Sequence, residues 1–286
     1  MVLQAIANGV VEGSVIALVA LGLTVVFAVS RLLNVAHGDY LTFGAYATFW
    51  ASQGLKLTVP LAALVGVVAT IVLGLFFHQL VFRKLIRSSI AALVASIGIA
   101  LLVRHAIIFI AGTGQQTYDL PLYRAWRIGD LRIIPTDLAV VAISLSAITL
   151  VHLLLRYTGL GREMRAVADN PELARVSGIR ASRVYVTMWV VALALAALAG
   201  MLLGARTVIQ PYLGWDVLIP AFAAAILGGL GNPYGAILGA LVIGISQDLA
   251  VLWVSETYKS AIAFVILALM LLYKPTGLLG RKEAVR

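Results

Sequence analysis

Apolar residues along this chain come in long, nearly unbroken stretches, at about 7–29, 38–53, 58–81, 88–111, 136–156, 184–204, 217–230, 233–252 and 260–274. A helical crossing of a bilayer needs about 20 such residues, so most of these stretches predict membrane spans. The stretches at 38–53 and 217–230 are short. Each predicts a half-helix, a re-entrant segment or part of a bent neighbour, so the expected fold is an all-α polytopic bundle of eight to nine spans, with short or broken helices near its centre. No soluble-sized gap separates the stretches, which predicts one transmembrane domain over residues 1–286.

One polar run, Arg156 to Arg183, breaks the pattern. Within it, Asn170 suits an N-cap, Pro171 the first helical position and Glu172 the positive end of the helix dipole. Gly178 suits the left-handed residue that ends a helix. The spacing predicts a helix of about two turns, well below the roughly 12–15 residues an isolated helix needs in water. Something outside it must hold it. Leu173 and Val176 form an apolar strip with Ile179 just beyond, ringed by Arg175, Arg180 and Arg183. That strip suits either the lipid headgroup layer or a groove in a soluble protein.

Composition strengthens the membrane reading. Apolar residues make up 62% of the chain and charged residues only 12%, with a mean hydropathy of +1.03. A soluble domain is about half apolar and one quarter charged. The formal charge is +9, but the basic residues fall in short clusters between apolar stretches rather than in one patch with interleaved aromatics, which argues against nucleic acid. Topology accounts for them better. With the N-terminus outside, the inner side collects Arg31, Arg83, Lys84, Arg87, Arg156, Arg162, Arg165, Arg175, Arg180, Arg183, Lys274, Arg281, Lys282 and Arg286, the majority of the 21 basic residues, as the positive-inside rule requires. The central polar run and the C-terminus are then expected in the cytoplasm. MVLQAIANGVVEGS lacks the basic region of a signal peptide, so the first apolar stretch is expected to stay as a span.

Two interruptions carry unusual residues. Arg31 to Tyr40 places Asn34, His37 and Asp39 around Gly38 between two apolar stretches, and irregular backbone at membrane depth is tolerated only where protein or water satisfies it. Ile226 to Gly235 contains Gly228, Gly229, Gly231 and an Asn-Pro step, and Gly231, Gly235 and Gly239 form overlapping GxxxG pairs that favour close helix contact. Both lie beside a short apolar stretch, the pattern of discontinuous helices at a transport route. Ionisable residues inside the spans are few: Glu12, His78, Arg104, His105, His152 and Asp248. A central arginine costs about 2.5–3.5 kcal/mol on insertion scales, so Arg104 is expected to lean toward the outer surface or to find an acid, and Glu12 and Asp248 lie in a similar outer third, which favours a structural ion pair over a substrate contact. The outer loop from about Gly112 to Thr136 reads as an exposed connection or a small cap.

The chemistry of an enzyme is missing. No phosphate-binding G-x-x-x-x-G-K-[ST] loop is present, no Ser/His/Asp grouping or HExxH motif appears, and there is no cysteine. Catalytic residues, metal ligands and cofactors are therefore expected to be none. Solute movement remains, driven either by a docked ATPase or by an ion gradient in a stand-alone secondary transporter or channel for a small polar solute. Mid-span acids for a proton relay are scarce, which favours the ATPase.

Three blocks then point to a family: Asn34-Val35-Ala36-His37-Gly38-Asp39; Gly159 to Glu172 with Ala174, Gly178 and Ile179; and Ala223 to Gly231 followed by Pro233 to Ala236. Lys274-Pro275-Thr276-Gly277-Leu278-Leu279-Gly280 closes the series. In these the chain resembles the permease subunits of bacterial branched-chain amino-acid ABC importers, the shorter permease of a pair. The resemblance implies an inner-membrane importer working with cytoplasmic ATP-binding subunits, a second related permease and an external solute-binding protein. It implies ATPase coupling for Gly161, Arg162, Arg165, Ala166, Asp169, Asn170, Pro171, Glu172, Ala174, Gly178 and Ile179 within a cytoplasmic coupling loop at 157–183. It implies a pore region for Asn34, His37, Gly38, Asp39, Gly228, Gly229 and Gly231. Which amino acid or amide is carried does not follow from these residues.

Overall fold

Apolar side chains on every face make a helix that other helices must surround, and the first helix meets that description. The computed structural model describes residues 1–85, 88–121, 123–129, 131–274 and 276–279. Arg87, Arg281, Lys282 and Arg286 of the charge pattern, Asp130 of the outer loop, and Pro275 and Gly280 of the closing block lie outside the described residues. In chain order the helices are α1 (Val2–Ser30), α2 (His37–Gly54), α3 (Val59–Phe77), α4 (Arg83–Leu85), α5 (Ser89–Ala111), α6 (Pro135–Tyr157), α7 (Gly159–Asp169), α8 (Pro171–Val176), α9 (Ala181–Arg206), α10 (Leu213–Gly228), α11 (Pro233–Ala250) and α12 (Lys259–Tyr273). A π turn, His78–Phe82, joins α3 to α4, and it carries His78 and Phe82 against the buried Trp189 of α9.

Helix α1 is the axis, with α11 and α9 packed along it. Small residues set how closely they approach: a Cβ on Gly9 would lie 2.5 Å from the backbone of Ile245, and one on Gly244 would lie 2.5 Å from the backbone of Gly13. Helices α3, α5, α6 and α12 keep many apolar side chains exposed, among them Val68, Phe109, Leu150 and Leu272, which suits a surface bathed in lipid.

Among the described residues, seven helices are long and apolar enough to cross a membrane. The two short stretches of the sequence reading are α2 and α10, of 18 and 16 residues, and the predicted count of eight to nine spans is not reproduced by length and composition. Both begin inside the bundle. After α1 ends, Arg31 turns the chain through a left-handed conformation, and residues 31–36 run back until the ring of His37 lies 2.8 Å from where a Cβ on Gly22 would stand. Gly22 precedes the end of α1 by about two turns, roughly 12 Å at 1.5 Å per residue. In the same way α9 ends at Arg206, residues 207–212 fold back, and α10 starts beside α2, where Thr42 Oγ1 accepts from the Gly214 backbone N–H at 2.9 Å. Two long helices, each followed by a return loop and a shorter helix, thus bring two helix N-termini together within the protein.

The polar run is helical over most of its length, as α7 and α8. The outer loop adds a small antiparallel hairpin, β1 (Trp126–Ile128) and β2 (Leu131–Ile133), with Arg127 opposite Arg132. It is a tethered connection. Gln116 bridges to Ile209 of the return loop before α10, the buried Tyr118 hydroxyl donates to the Ala45 carbonyl at 3.0 Å, and Gln4 exchanges hydrogen bonds with the Arg132 backbone.

Candidate functional site

Helix α8 is built by its caps. Asn170 Oδ1 accepts from the backbone N–H groups of Glu172 and Leu173 at 3.0 and 2.9 Å, Pro171 opens the helix and Glu172 sits in its first turn. At the other end Gly178 takes φ of 84°, and the Ile179 N–H reaches back to the Ala174 carbonyl at 3.0 Å, the crossing bond of a glycine-stopped helix. Six residues are too few to stand alone. Ala174 anchors them, 3% exposed, while Leu173 and Val176 are 63% and 81% exposed.

Helix α7, which lies within the polar run, supplies the base for α8. Its Met164 and Val167 are buried, three residues apart as one helix face requires. A side chain on Gly161 would collide with the carbonyls of Leu154 and Leu155, and Arg165 donates to the Leu155 carbonyl. Of the residues assigned to coupling, Gly161 and Ala174 are buried, Ala166 and Ile179 half-buried, and Arg162, Arg165, Asp169, Asn170, Pro171, Glu172 and Gly178 exposed. All eleven lie on α7, on α8 or at the junctions that flank α8.

The first interruption lies at the opposite extreme of burial. Asn34, His37 and Asp39 are each 1% exposed. Asp39 and Arg104 form a two-pronged ion pair, Nε to Oδ1 at 2.9 Å and a terminal guanidinium nitrogen to Oδ2 at 3.0 Å. Tyr212 and Trp215 flank the guanidinium, with ring centroids 5.2 and 4.9 Å from its central carbon. The expectation that Arg104 pairs with Glu12 or Asp248 fails. Both acids instead converge on Lys259, Asp248 at 2.8 Å. The partner of Arg104 is Asp39, 65 residues away on a helix that starts mid-bundle.

The second interruption forms a separate elbow. Gly228 abuts Gly235 so tightly that neither tolerates a side chain, and Gly229 and Gly231 take φ of 104° and 86°. The segment after α12 closes this elbow: the N–H groups of Leu278 and Leu279 donate to the carbonyls of Leu227 and Gly228 at 2.7 and 3.1 Å, and Asn232 Nδ2 donates to the Leu279 carbonyl at 2.9 Å. The structure therefore joins Asn34, His37, Gly38 and Asp39 in one cluster and Gly228, Gly229 and Gly231 in another. Arg104, Tyr212, Gly214, Trp215 and Lys259 were not identified from sequence as members of any site. Only Arg104 carried a signal, as a lone charge in an apolar stretch.

The model of the branched-chain amino acid transport system permease component matches residues 5–272. The chain belongs to this family. The permease is 32% identical to the high-affinity branched-chain amino acid transport system permease protein LivH of Escherichia coli (strain K12), over 98% of this chain and 96% of the relative. It is 30% identical to the corresponding protein BraD of Pseudomonas aeruginosa over 98% and 96%, and 28% identical to the ribose import permease protein RbsC of Escherichia coli (strain K12) over 91% and 82%. In fold the permease is similar to the solved structure of PsaBC from Streptococcus pneumoniae in complex with Fab, with a TM-score of 0.52, 14% identity and coverage of 94% and 91% of the two chains. It is a non-enzymatic, multi-pass membrane transport component of an ATP-binding-cassette importer.

Proposed function

We propose that this permease, acting as a single transmembrane domain, moves branched-chain or related small amino acids across the bacterial inner membrane, driven by ATP-binding subunits docked on α7 and α8. The observation that carries this reading is α8 itself: a six-residue helix, capped at both ends, whose Leu173 and Val176 stand exposed while Ala174 holds it to the bundle. An apolar strip of this kind on a pre-formed helix suits a groove in a partner. The relatives are named for branched-chain amino acid transport, which supports the substrate class. A second, related permease completes the membrane unit, and an external binding protein delivers the cargo. The α7–α8 end faces the cytoplasm and the N-terminus lies outside, in keeping with the basic residues clustered around α8.

Alternating access follows from this arrangement. Closure of the ATPase pair pushes α8, α7 transmits the displacement to α6 and α9, and the contact between α2 and α10 repacks so that the path opens to one side and closes to the other. Loaded binding protein biases the same equilibrium through its differential affinity for the two states. The test is uptake into proteoliposomes holding this chain, its partner permease and the ATPase subunits, with the binding protein supplied on the opposite side. Labelled leucine, isoleucine or valine should accumulate only with ATP on the ATPase side. Uptake driven by a sodium or proton gradient with the ATPase omitted would establish the ion-coupled alternative instead.

A further inference from the structure

We propose that the hairpin of β1 and β2 lies in the bilayer surface and holds the phosphate of an anionic phospholipid between Arg127 and Arg132. The inference does not depend on what drives transport; it needs only that α1 and α6 cross the membrane. The leaflet is the one at the N-terminal end of α1, the outer one in the orientation proposed above.

Two anchors fix the depth of the hairpin. Gln4 Nε2 donates to the Arg132 carbonyl at 3.1 Å, and the Arg132 N–H donates to Gln4 Oε1 at 2.8 Å. The first apolar stretch begins at about residue 7, so at 1.5 Å per helical residue Gln4 stands only about 5 Å above the start of that span. On the other side, β2 ends at Ile133 and α6, one of the helices able to cross the membrane, starts at Pro135. A segment tied to the starts of two spans sits at the level of the headgroups.

At that level the hairpin has two unlike faces. Side chains alternate along a strand, and the register pairs Trp126 with Ile133 and Arg127 with Arg132. One face therefore carries Trp126, 57% exposed, with Leu131 and Ile133 half-buried, and the other carries two exposed arginines. Tryptophan is enriched at the membrane boundary. An amphipathic element that sinks its apolar side about 5–10 Å into that boundary leaves its opposite side among the phosphates. Like charges directly opposite one another destabilise a strand pair, and among the described residues neither guanidinium makes an ion pair. A phosphodiester accepting from both removes that repulsion, and the planar fork of arginine matches phosphate oxygens.

Quenching of Trp126 by brominated lipid tests this on the full chain, in nanodiscs of phosphatidylcholine with a minority of phosphatidylglycerol. The Trp126 signal is the emission of the unaltered chain minus that of Trp126→Phe. Bromine carried by phosphatidylglycerol alone should quench it about fivefold more, per mole of brominated lipid, than bromine carried by phosphatidylcholine alone, the preference that one arginine contributes at an anionic surface. Arg127→Gln combined with Arg132→Gln, both at exposed positions, should abolish the preference and leave quenching by phosphatidylcholine in place. Equal quenching by the two lipids in the unaltered chain, or a preference that survives the double substitution, overturns the anionic site. No quenching by either lipid overturns the placement in the bilayer surface. Shielding of Trp126 from aqueous acrylamide only when the external binding protein is added would then make the hairpin a docking surface for that protein instead.

Discussion

Gly38 of α2 and Gly214 of α10 meet backbone to backbone: a Cβ on Gly38 would lie 2.7 Å from the Gly214 carbonyl oxygen. This is where two helices that start inside the bundle touch, and it leaves no room for a methyl group on either side. Because backbone cannot yield as a flexible side chain can, alanine at either position acts as overpacking, which costs about 1–3 kcal/mol or more. Gly214→Ala should lower the melting temperature in detergent and reduce transport further than stability alone accounts for, whereas Gly54→Ala, where a Cβ has open space, should do neither. Equal behaviour of the two variants would remove the central contact from the mechanism.

Asp39 and Arg104 form a structural pair. Arg104→Ala leaves a carboxylate that is 1% exposed without its cation, a change that costs about 3–5 kcal/mol when one partner of a buried pair is removed. Arg104→Lys should recover little, since an ammonium cannot make the two-pronged contact. The double replacement Asp39→Leu with Arg104→Met should restore much of the loss, because paired apolar substitutes avoid the cost of burying charge. Thermal unfolding of the purified chain reads all three. A fully stable Arg104→Ala protein that no longer transports would instead assign the arginine to the cargo.

The caps of α8 predict a separation of coupling from folding. Asn170→Ala removes the acceptor for two backbone N–H groups and should cost about 0.5–2 kcal/mol locally. Gly178→Pro fits poorly at φ of 84°, since proline is held near −65°. Glu172→Arg and Leu173→Asp alter only the exposed face. All four should leave membrane insertion and pairing with the second permease intact while lowering ATP-driven uptake, most in Gly178→Pro. Co-purification of the ATPase subunits gives the direct reading: retention at the unaltered level by both Leu173→Asp and Gly178→Pro would remove α8 from the interface.

The tether of the outer loop predicts a smaller effect. Tyr118→Phe deletes a buried hydroxyl that donates to the Ala45 carbonyl and should cost about 0.5–1.5 kcal/mol. Proteolysis at the exposed β1–β2 hairpin should accelerate, while α8 and its partners are untouched. Unchanged cleavage would show that the Gln116 to Ile209 bridge holds the loop without help.

Several features were written in local sequence. A long unbroken apolar stretch such as 7–29 reads as helix in lipid, because a helix is the conformation that satisfies every backbone group within a single segment. The limits of α8 follow from Asn170, Pro171 and Gly178, whose preferences act over one or two residues and need no tertiary context. The family resemblance was equally legible, since its blocks are contiguous runs.

Partnership across the bundle was not. Hydropathy gives depth along the membrane but not rotation around it, so Arg104 was matched to acids of similar depth and found Asp39 instead, while Glu12 and Asp248 found Lys259. Helix α7 was hidden because its buried face is only Gly161, Met164 and Val167, too few apolar positions to stand out in a basic run. The sequence by itself determined which long apolar segments are helical and where the short exposed helix begins and ends, because those choices are made by neighbouring residues and by lipid. Tertiary structure alone decided that two return loops bring Gly38 against Gly214 and which charges share a buried site, because contacts between distant segments depend on how helices rotate and pack against one another.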